Sequence, residues 1–212
     1  ECNCDCRHCF AKSFEKDPFH REKLTTAEMK GALREMVENG VFHFALQGGE
    51  PFLHPDLDGL IAACSPRKSY ITLVSNGAMV TEEMLRRVYA LGVDKIAVSI
   101  DSHFDAEHDA FRGVVGCRER AIQTLHAARK IGLDISIAVT VLNDTLHTDS
   151  VQKLLEYAAA RSFAQVHPPY IRKRRADHRP NITVSHLVGN HEHEKQTAGI
   201  LRRIHLEGPD AG

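Results

Sequence analysis

The chain has 212 residues, 42% of them hydrophobic, with 27 Lys and Arg against 28 Asp and Glu. That is enough for one sizeable core and too balanced in charge to signal nucleic-acid binding. No run of about eighteen apolar residues occurs, so no membrane-spanning helix is indicated and a soluble globular protein is expected.

In chain order, the first feature is a crowd of cysteines. Cys2, Cys4, Cys6 and Cys9 stand too close together for a disulfide framework, and such clustering favours metal. Reduced thiolate ligands imply a reducing, cytoplasmic setting. The chain opens at Glu1 directly on this cluster without a methionine, which raises the expectation of a missing upstream segment. A helix follows from Thr25 to Asn39: Thr25 and Glu28 form a capping box, Met29, Leu33, Met36 and Val37 share one face, and Gly40 ends it. Val41 to Leu46 reads as a buried strand running into the Gly48-Gly49-Glu50-Pro51 turn.

The pattern then alternates. A helix from about Asp56 to Cys64 leads to a strand, Tyr70 to Val74. A helix from Thr81 to Leu91, closed by Gly92, leads to a strand, Lys95 to Ile100. Cys117 to Ile131 is helical and stops at Gly132, and Leu133 to Leu142 is a strand. The helix Ser150 to Ala160 precedes a last short strand, Ala164 to His167. Near-continuous apolar strands point to burial on both faces and hence to parallel strands with helical crossovers. Five strands are visible and a sixth is implied before Glu1. The expected fold is α/β, a partial (β/α)6 TIM-like barrel of parallel strands with its first strand truncated. Residues 1–169 would form this core. Residues 170–212 form an irregular tail with the basic run Arg172 to Arg175, scattered histidines and no strong apolar period before Ile200 to Leu206.

Barrels of this kind carry their chemistry on the loops after the strands. The unusual residues obey that rule: Gly48 to Pro51, Ser75-Asn76-Gly77, Ser99-Ile100-Asp101 and His167-Pro168-Pro169 all sit at or beyond strand ends, whereas Gly40, Gly92 and Gly132 are explained as helix C-caps. The spacing Cys2-x-x-x-Cys6-x-x-Cys9 supplies three thiolates on a tight loop, which suits a [4Fe–4S] cluster with one iron left without a protein ligand. A structural zinc site would need a fourth ligand, for which Cys4 or His8 could serve.

In this order the motifs resemble the radical S-adenosylmethionine (SAM) superfamily, up to about His167. Within it they resemble the SPASM/twitch-type branch of peptide- and cofactor-maturing enzymes, such as those of PQQ assembly, sulfatase maturation and molybdopterin or haem-related biosynthesis. The resemblance implies that Cys2, Cys6 and Cys9 bind the cluster and that the amino and carboxylate groups of SAM chelate the fourth iron. An electron from an external donor such as flavodoxin or ferredoxin would then split SAM. The resulting 5′-deoxyadenosyl radical would take a hydrogen from a peptide or small-molecule cofactor precursor.

The resemblance also implies residue roles. Gly48, Gly49, Glu50 and Pro51 match the loop that meets the SAM amino group. Ser75 and Asn76 would reach the ribose, and Ser99 and Asp101 would lie near the ribose and the methionine carboxylate. Arg112 would pair with that carboxylate through its planar fork, an exposed unpaired arginine being the alternative. His8 replaces an aromatic residue near the adenine. Val139 and Val166 would either line the adenine pocket or simply pack in the core. No side chain is assigned to the chemical step itself. Cys4 departs from the pattern and is read as a spare thiol, and Cys64 and Cys117 as small helix residues. Such relatives continue into a cysteine-rich C-terminal domain, but here no cysteine follows Cys117, so either a minimal member or a truncated chain is expected. The alternative function is a chain that binds an iron–sulfur cluster or zinc without turning over. Neither a nucleic-acid partner nor a membrane is expected.

Overall fold

A computed structural model describes residues 1–7, 9, 24–140 and 148–161. His8, Val166, the expected strand Ala164 to His167 and the tail from 170 onward lie outside them. Among the described residues the order is α1 (Thr26–Glu38), β1 (His43–Leu46), a 3-10 turn (Pro51–Leu53), α2 (Leu57–Ala63), β2 (Tyr70–Ser75), α3 (Glu82–Ala90), β3 (Lys95–Ser99), α4 (Asp105–Arg112), α5 (Cys117–Lys130), β4 (Asp134–Ala138) and α6 (Asp149–Ala160).

Local chemistry sets the helix ends. Thr25 Oγ1 accepts from the Glu28 amide at 3.2 Å while the Glu28 carboxylate accepts from the Thr25 amide at 2.7 Å, which completes the capping box of α1. Asp56 and Thr81 cap α2 and α3 more simply, their side chains accepting from the amides of Gly59 and Met84.

The strands form one sheet in the order β1-β2-β3-β4, every neighbour parallel. One face packs under the helices: Phe44, Ile71, Leu73, Ile96, Val98, Ile135 and Ile137 join Ile61 of α2, Leu85 and Val88 of α3, Leu125 of α5 and Leu154 of α6 in a continuous core. Burying each such side chain contributes about 1.5–3 kcal/mol. By the two-residue period of a strand the opposite face carries the alternate positions. Register places Thr72, Lys95 and Asp134 in one layer, then Val74, Ala97 and Ser136, then Ser99 and Ala138 toward the C-terminal ends. The two layers nearest those ends therefore hold nothing bulkier than valine, whereas a filled barrel interior is dominated by bulky branched residues.

Two expectations are corrected. The segment Val41 to Leu46 is not a strand buried on both faces: β1 starts at His43 and alternates in exposure, and Val41 and Phe42 before it are 41% and 51% exposed. Among the described residues β1 is the sheet edge, so only one of its faces is pressed into the core. Second, α4 was not anticipated, because two of its three buried positions are His108 and Arg112, which leaves no apolar period to read. The expected strand Leu133 to Leu142 is described as β4 up to Ala138; residues 141–147 lie outside the described set. Among the described residues no helix is long and apolar enough to cross a membrane.

Candidate functional site

The cysteine-bearing segment is fastened across the C-terminal ends of the strands by backbone hydrogen bonds. Glu50 N donates to Glu1 O at 2.8 Å, Asp5 N to Arg112 O at 2.9 Å and Arg7 N to Phe111 O at 2.9 Å, and Cys9 N closes a turn onto Cys6 O at 3.1 Å. Two crossings require glycine. A Cβ on Gly49 would run into the Glu1 carbonyl, and Gly113 combines a φ of +69° with a Cβ position 2.7 Å from Asp5 O.

Cys2 is exposed, and Cys4, Cys6 and Cys9 are partly exposed. The Cys4 thiol packs among those of Cys2, Cys6 and Cys117. Its hydrogen bonding holds the Cys2 thiol down at about 5 and that of Cys6 at about 7, the Arg112 guanidinium adding to the second effect, while Cys4 itself is raised. Among the described residues no three Cys, His, Asp or Glu side chains converge as the ligands of a single metal ion would. Thiolates on separate irons of a cluster need no common focus.

Glu50 follows β1 and is 3% exposed. Its Oε1 accepts from Ser75 Oγ at 2.8 Å and from Phe52 N at 3.3 Å, and its Oε2 from Asn76 N at 2.9 Å. Burial raises its carboxyl above the usual range, opposed by these donors. The carboxylate thus ties the end of β1 to the end of β2. Ser75 is 1% exposed, and its hydroxyl also accepts from Gly77 N at 3.0 Å. The Asn76 side chain accepts from Ala78 N at 2.8 Å, donates to Asn3 Oδ1 at 2.7 Å and turns the same Nδ2 toward Cys2 Sγ at 3.9 Å.

At the end of β3, Ser99 is partly exposed on the small-residue face. Asp101 is held from three sides. Its Oδ1 accepts from Thr140 N at 2.9 Å, its Oδ2 from Arg112 Nε at 2.6 Å, and its amide donates to His108 Nδ1 at 3.1 Å. Arg112 is therefore no exposed unpaired arginine. It is 7% exposed and extends Nη1 to Cys6 Sγ at 3.7 Å. Burial opposes its charge, but the Asp101 carboxylate outweighs that and raises its pKa. Val139, 1% exposed, lies in the core shared with the helices, in keeping with the packing reading.

Sequence reasoning missed several participants. Asn3 bonds Asn76, His108 holds the Asp101 amide, and Cys117, the first residue of α5 and fully buried, lies against Cys4 and His108. None of them has a spacing signal, because each partner lies on a different element. Beside them, between α4 and the start of α6, opens a cavity of about 260 Å³ reached by Arg7, Asp101, Glu107 and Thr140. Its floor includes the hydroxyl pair of Ser102 and Ser150, 2.5 Å apart.

The family described as the Radical SAM superfamily matches residues 1–158. An AdoMet-dependent heme synthase from Nitratidesulfovibrio vulgaris is 32% identical over 160 residues, which cover 75% of this chain and 43% of that protein. The mycofactocin maturase MftC of Mycobacterium tuberculosis is 28% identical over 169 residues, 79% of this chain and 42% of its own length. The chain thus spans less than half of each of these two relatives. Among solved structures, Streptococcus suis SuiB matches with a TM-score of 0.68 at 15% identity, covering 99% of this chain and 45% of SuiB. A structure of anSMEcpe with bound AdoMet gives 0.61 at 20% identity, covering 84% and 52%. At such identities these likenesses speak to the fold.

Proposed function

The chain belongs to the Radical SAM superfamily, enzymes whose cofactors are a [4Fe–4S] cluster and SAM, and we propose that residues 1–169 are a core that cleaves SAM reductively and directs the resulting radical at a peptide or small cofactor precursor. The observation that carries this reading is the clamping of the three-cysteine loop onto the turn after β1 by Glu50 N to Glu1 O and onto the end of α4, which follows β3, by Asp5 N to Arg112 O. It sets the thiols beside the residues that follow β1, β2 and β3.

The donor set fits a cluster. Three thiols stand at Cys2, Cys6 and Cys9, all at least partly exposed, and N–H donors of Asn76 and Arg112 face the sulfurs of Cys2 and Cys6. Cys2, Cys6 and Cys9 are its ligands in this reading. Once bound, the cluster supplies the electron that splits SAM into methionine and the 5′-deoxyadenosyl radical. The chain's part is to hold and exclude. Glu50 and Asp101 already accept hydrogen bonds on both carboxylate oxygens, so each acts as a post that fixes neighbouring backbone. The groups left to meet SAM are the exposed backbone of Gly48 and Gly49 ahead of Pro51 and the Ser99 hydroxyl, on a sheet face small enough for close approach, while the Asn76 amide, already held by Asn3 and Ala78, meets the ribose only through what those partners leave. His8, next to the last cysteine in sequence and outside the described residues, is the residue this reading assigns to the adenine.

The substrate class rests on relatives: MftC is a maturase, SuiB is known bound to the precursor peptide SuiA, and heme synthases stand among the matches. A low-potential electron carrier such as flavodoxin or ferredoxin in a reducing, cytoplasmic compartment fits the same reading, with residues 170–212 as a separate tail. The test is anaerobic reconstitution with iron and sulfide, followed by dithionite and SAM. Formation of 5′-deoxyadenosine that is abolished by Cys6→Ala is expected. Tight zinc binding with no iron–sulfur chromophore would overturn the proposal in favour of a metal-binding chain without turnover.

A further inference from the structure

Arg112 grips the cysteine loop twice. Its backbone carbonyl accepts from Asp5 N at 2.9 Å, and its side chain reaches the next residue, with Nη1 3.7 Å from Cys6 Sγ. The guanidinium is anchored behind by Asp101 at 2.6 Å. Asp101 in turn is fixed by Thr140 N and by its own amide on His108. A buried cation held this firmly is aimed by its surroundings rather than free to follow a ligand.

We propose that Arg112 is a positioning residue for the cluster, donating a charge-assisted hydrogen bond to the Cys6 thiolate and thereby setting the cluster's reduction potential. This rests on the reading of Cys2, Cys6 and Cys9 as cluster ligands. One-electron reduction adds a negative charge to the cluster. A fixed positive charge and an N–H donor at one of its sulfurs stabilise that reduced state, since hydrogen bonds to the sulfurs and local charge tune such potentials. The effect is asymmetric. Cys2 is met by the neutral Cys4 thiol and by the neutral Asn76 amide, at 3.9 Å, whereas the guanidinium of Arg112 reaches Cys6, so the ligand beside Arg112 carries the part that depends on that side chain's charge.

The test uses the full chain, reconstituted anaerobically and titrated with dithionite without SAM, the reduced cluster being counted by electron paramagnetic resonance. SAM binding is measured on the same samples by equilibrium dialysis. At the potential where the wild-type chain is half reduced, Arg112→Gln should show a reduced-to-oxidised ratio about tenfold lower, equivalent to about 59 mV for one electron. Arg112→Lys keeps a cation but has one point of attachment for two partners, and should fall about threefold. If the glutamine variant takes up no iron, the lysine variant decides. Wild-type ratios in the loaded variants, with SAM binding weakened, would make Arg112 a ligand clamp and overturn the proposal while leaving the cluster reading intact. Failure of the wild-type chain to form any cluster would instead remove the reading beneath it.

Discussion

Replacing Gly49 by alanine tests the packing that brings the cysteines to the strand ends. The added Cβ would lie 2.7 Å from the Glu1 carbonyl carbon and 3.3 Å from Cys2 Cβ, and its nearest obstacle is the carbonyl oxygen itself. Both neighbours are main chain or main-chain-proximal, with no flexible end to yield, so the segment must back away until the contacts reach about 3.4 Å, the onset of ordinary van der Waals contact. That retreat breaks the 2.8 Å bond from Glu50 N to Glu1 O. A buried amide left without its acceptor costs about 1–3 kcal/mol. The clash falls on Glu1 and Cys2 rather than on the helix-covered face of the sheet, so a thermal melt should move by only a few degrees. The cost falls on the placement of Cys2, and retention of iron against a chelator should weaken about 10- to 100-fold, tenfold for each 1.4 kcal/mol. Gly48→Ala, whose Cβ meets nothing within 4 Å, should retain iron as the wild type does. Equal retention in Gly49→Ala would refute the docking of the cysteine loop on the Gly49–Glu50 backbone.

Glu50→Gln puts an amide NH2 where either Ser75 and Phe52 or Asn76 donate; a loss of about 1–3 kcal/mol is expected, read by denaturant titration, and an unchanged midpoint would contradict the acceptor role. Lys95 is 2% exposed, and burial lowers its pKa to about 8 from 10.5, against the pull of Asp134. The unfolded chain then holds a proton that the folded chain lacks between pH 8 and 10.5, so this residue makes stability rise with pH across that window, and below it the full cost of about 3 kcal/mol applies. Lys95→Met should be more stable at pH 7 and lose that rise; parallel pH profiles of unfolding free energy for the two chains would count against it. Thr25→Ala removes the side-chain half of the α1 capping box and should lower stability by about 1 kcal/mol with an unchanged denaturant slope.

Much of the fold is legible because its signals are local. Thr25, Asp56 and Thr81 cap the helices that their spacing predicts, and Gly40, Gly92 and Gly132 adopt positive φ at the helix ends. The apolar runs of β2, β3 and β4 read correctly as buried strands. What failed to show depends on partners distant in sequence. Apolarity alone cannot tell a central strand from an edge strand, so Val41 and Phe42 counted as buried. In α4 the inward positions are His108 and Arg112, whose burial is compensated by Asp101 on another loop.

The site divides along the same line. The residue types after each strand announce a ligand, because a buried acid between glycine and proline, or an Asp two residues after a serine, has no need to occur in an ordinary turn. Their partners are hidden. Glu50 and Asp101 look from sequence like groups for a cofactor, yet each spends its carboxylate on the chain: Glu50 on Ser75, Phe52 and Asn76, Asp101 on Arg112 and Thr140. A carboxylate engaged in this way is a good anchor for backbone, whatever donor its remaining lone pairs accept from. In the proposed reading, contact with SAM at these strand ends falls to the exposed peptide edge at Gly48 and Gly49 and to the Ser99 hydroxyl. It follows that acid substitutions here should disturb ligand affinity and fold stability together, whereas Ser99→Ala, on the small-residue face with its hydroxyl at the open end, should weaken the ligand and leave the unfolding midpoint where it was.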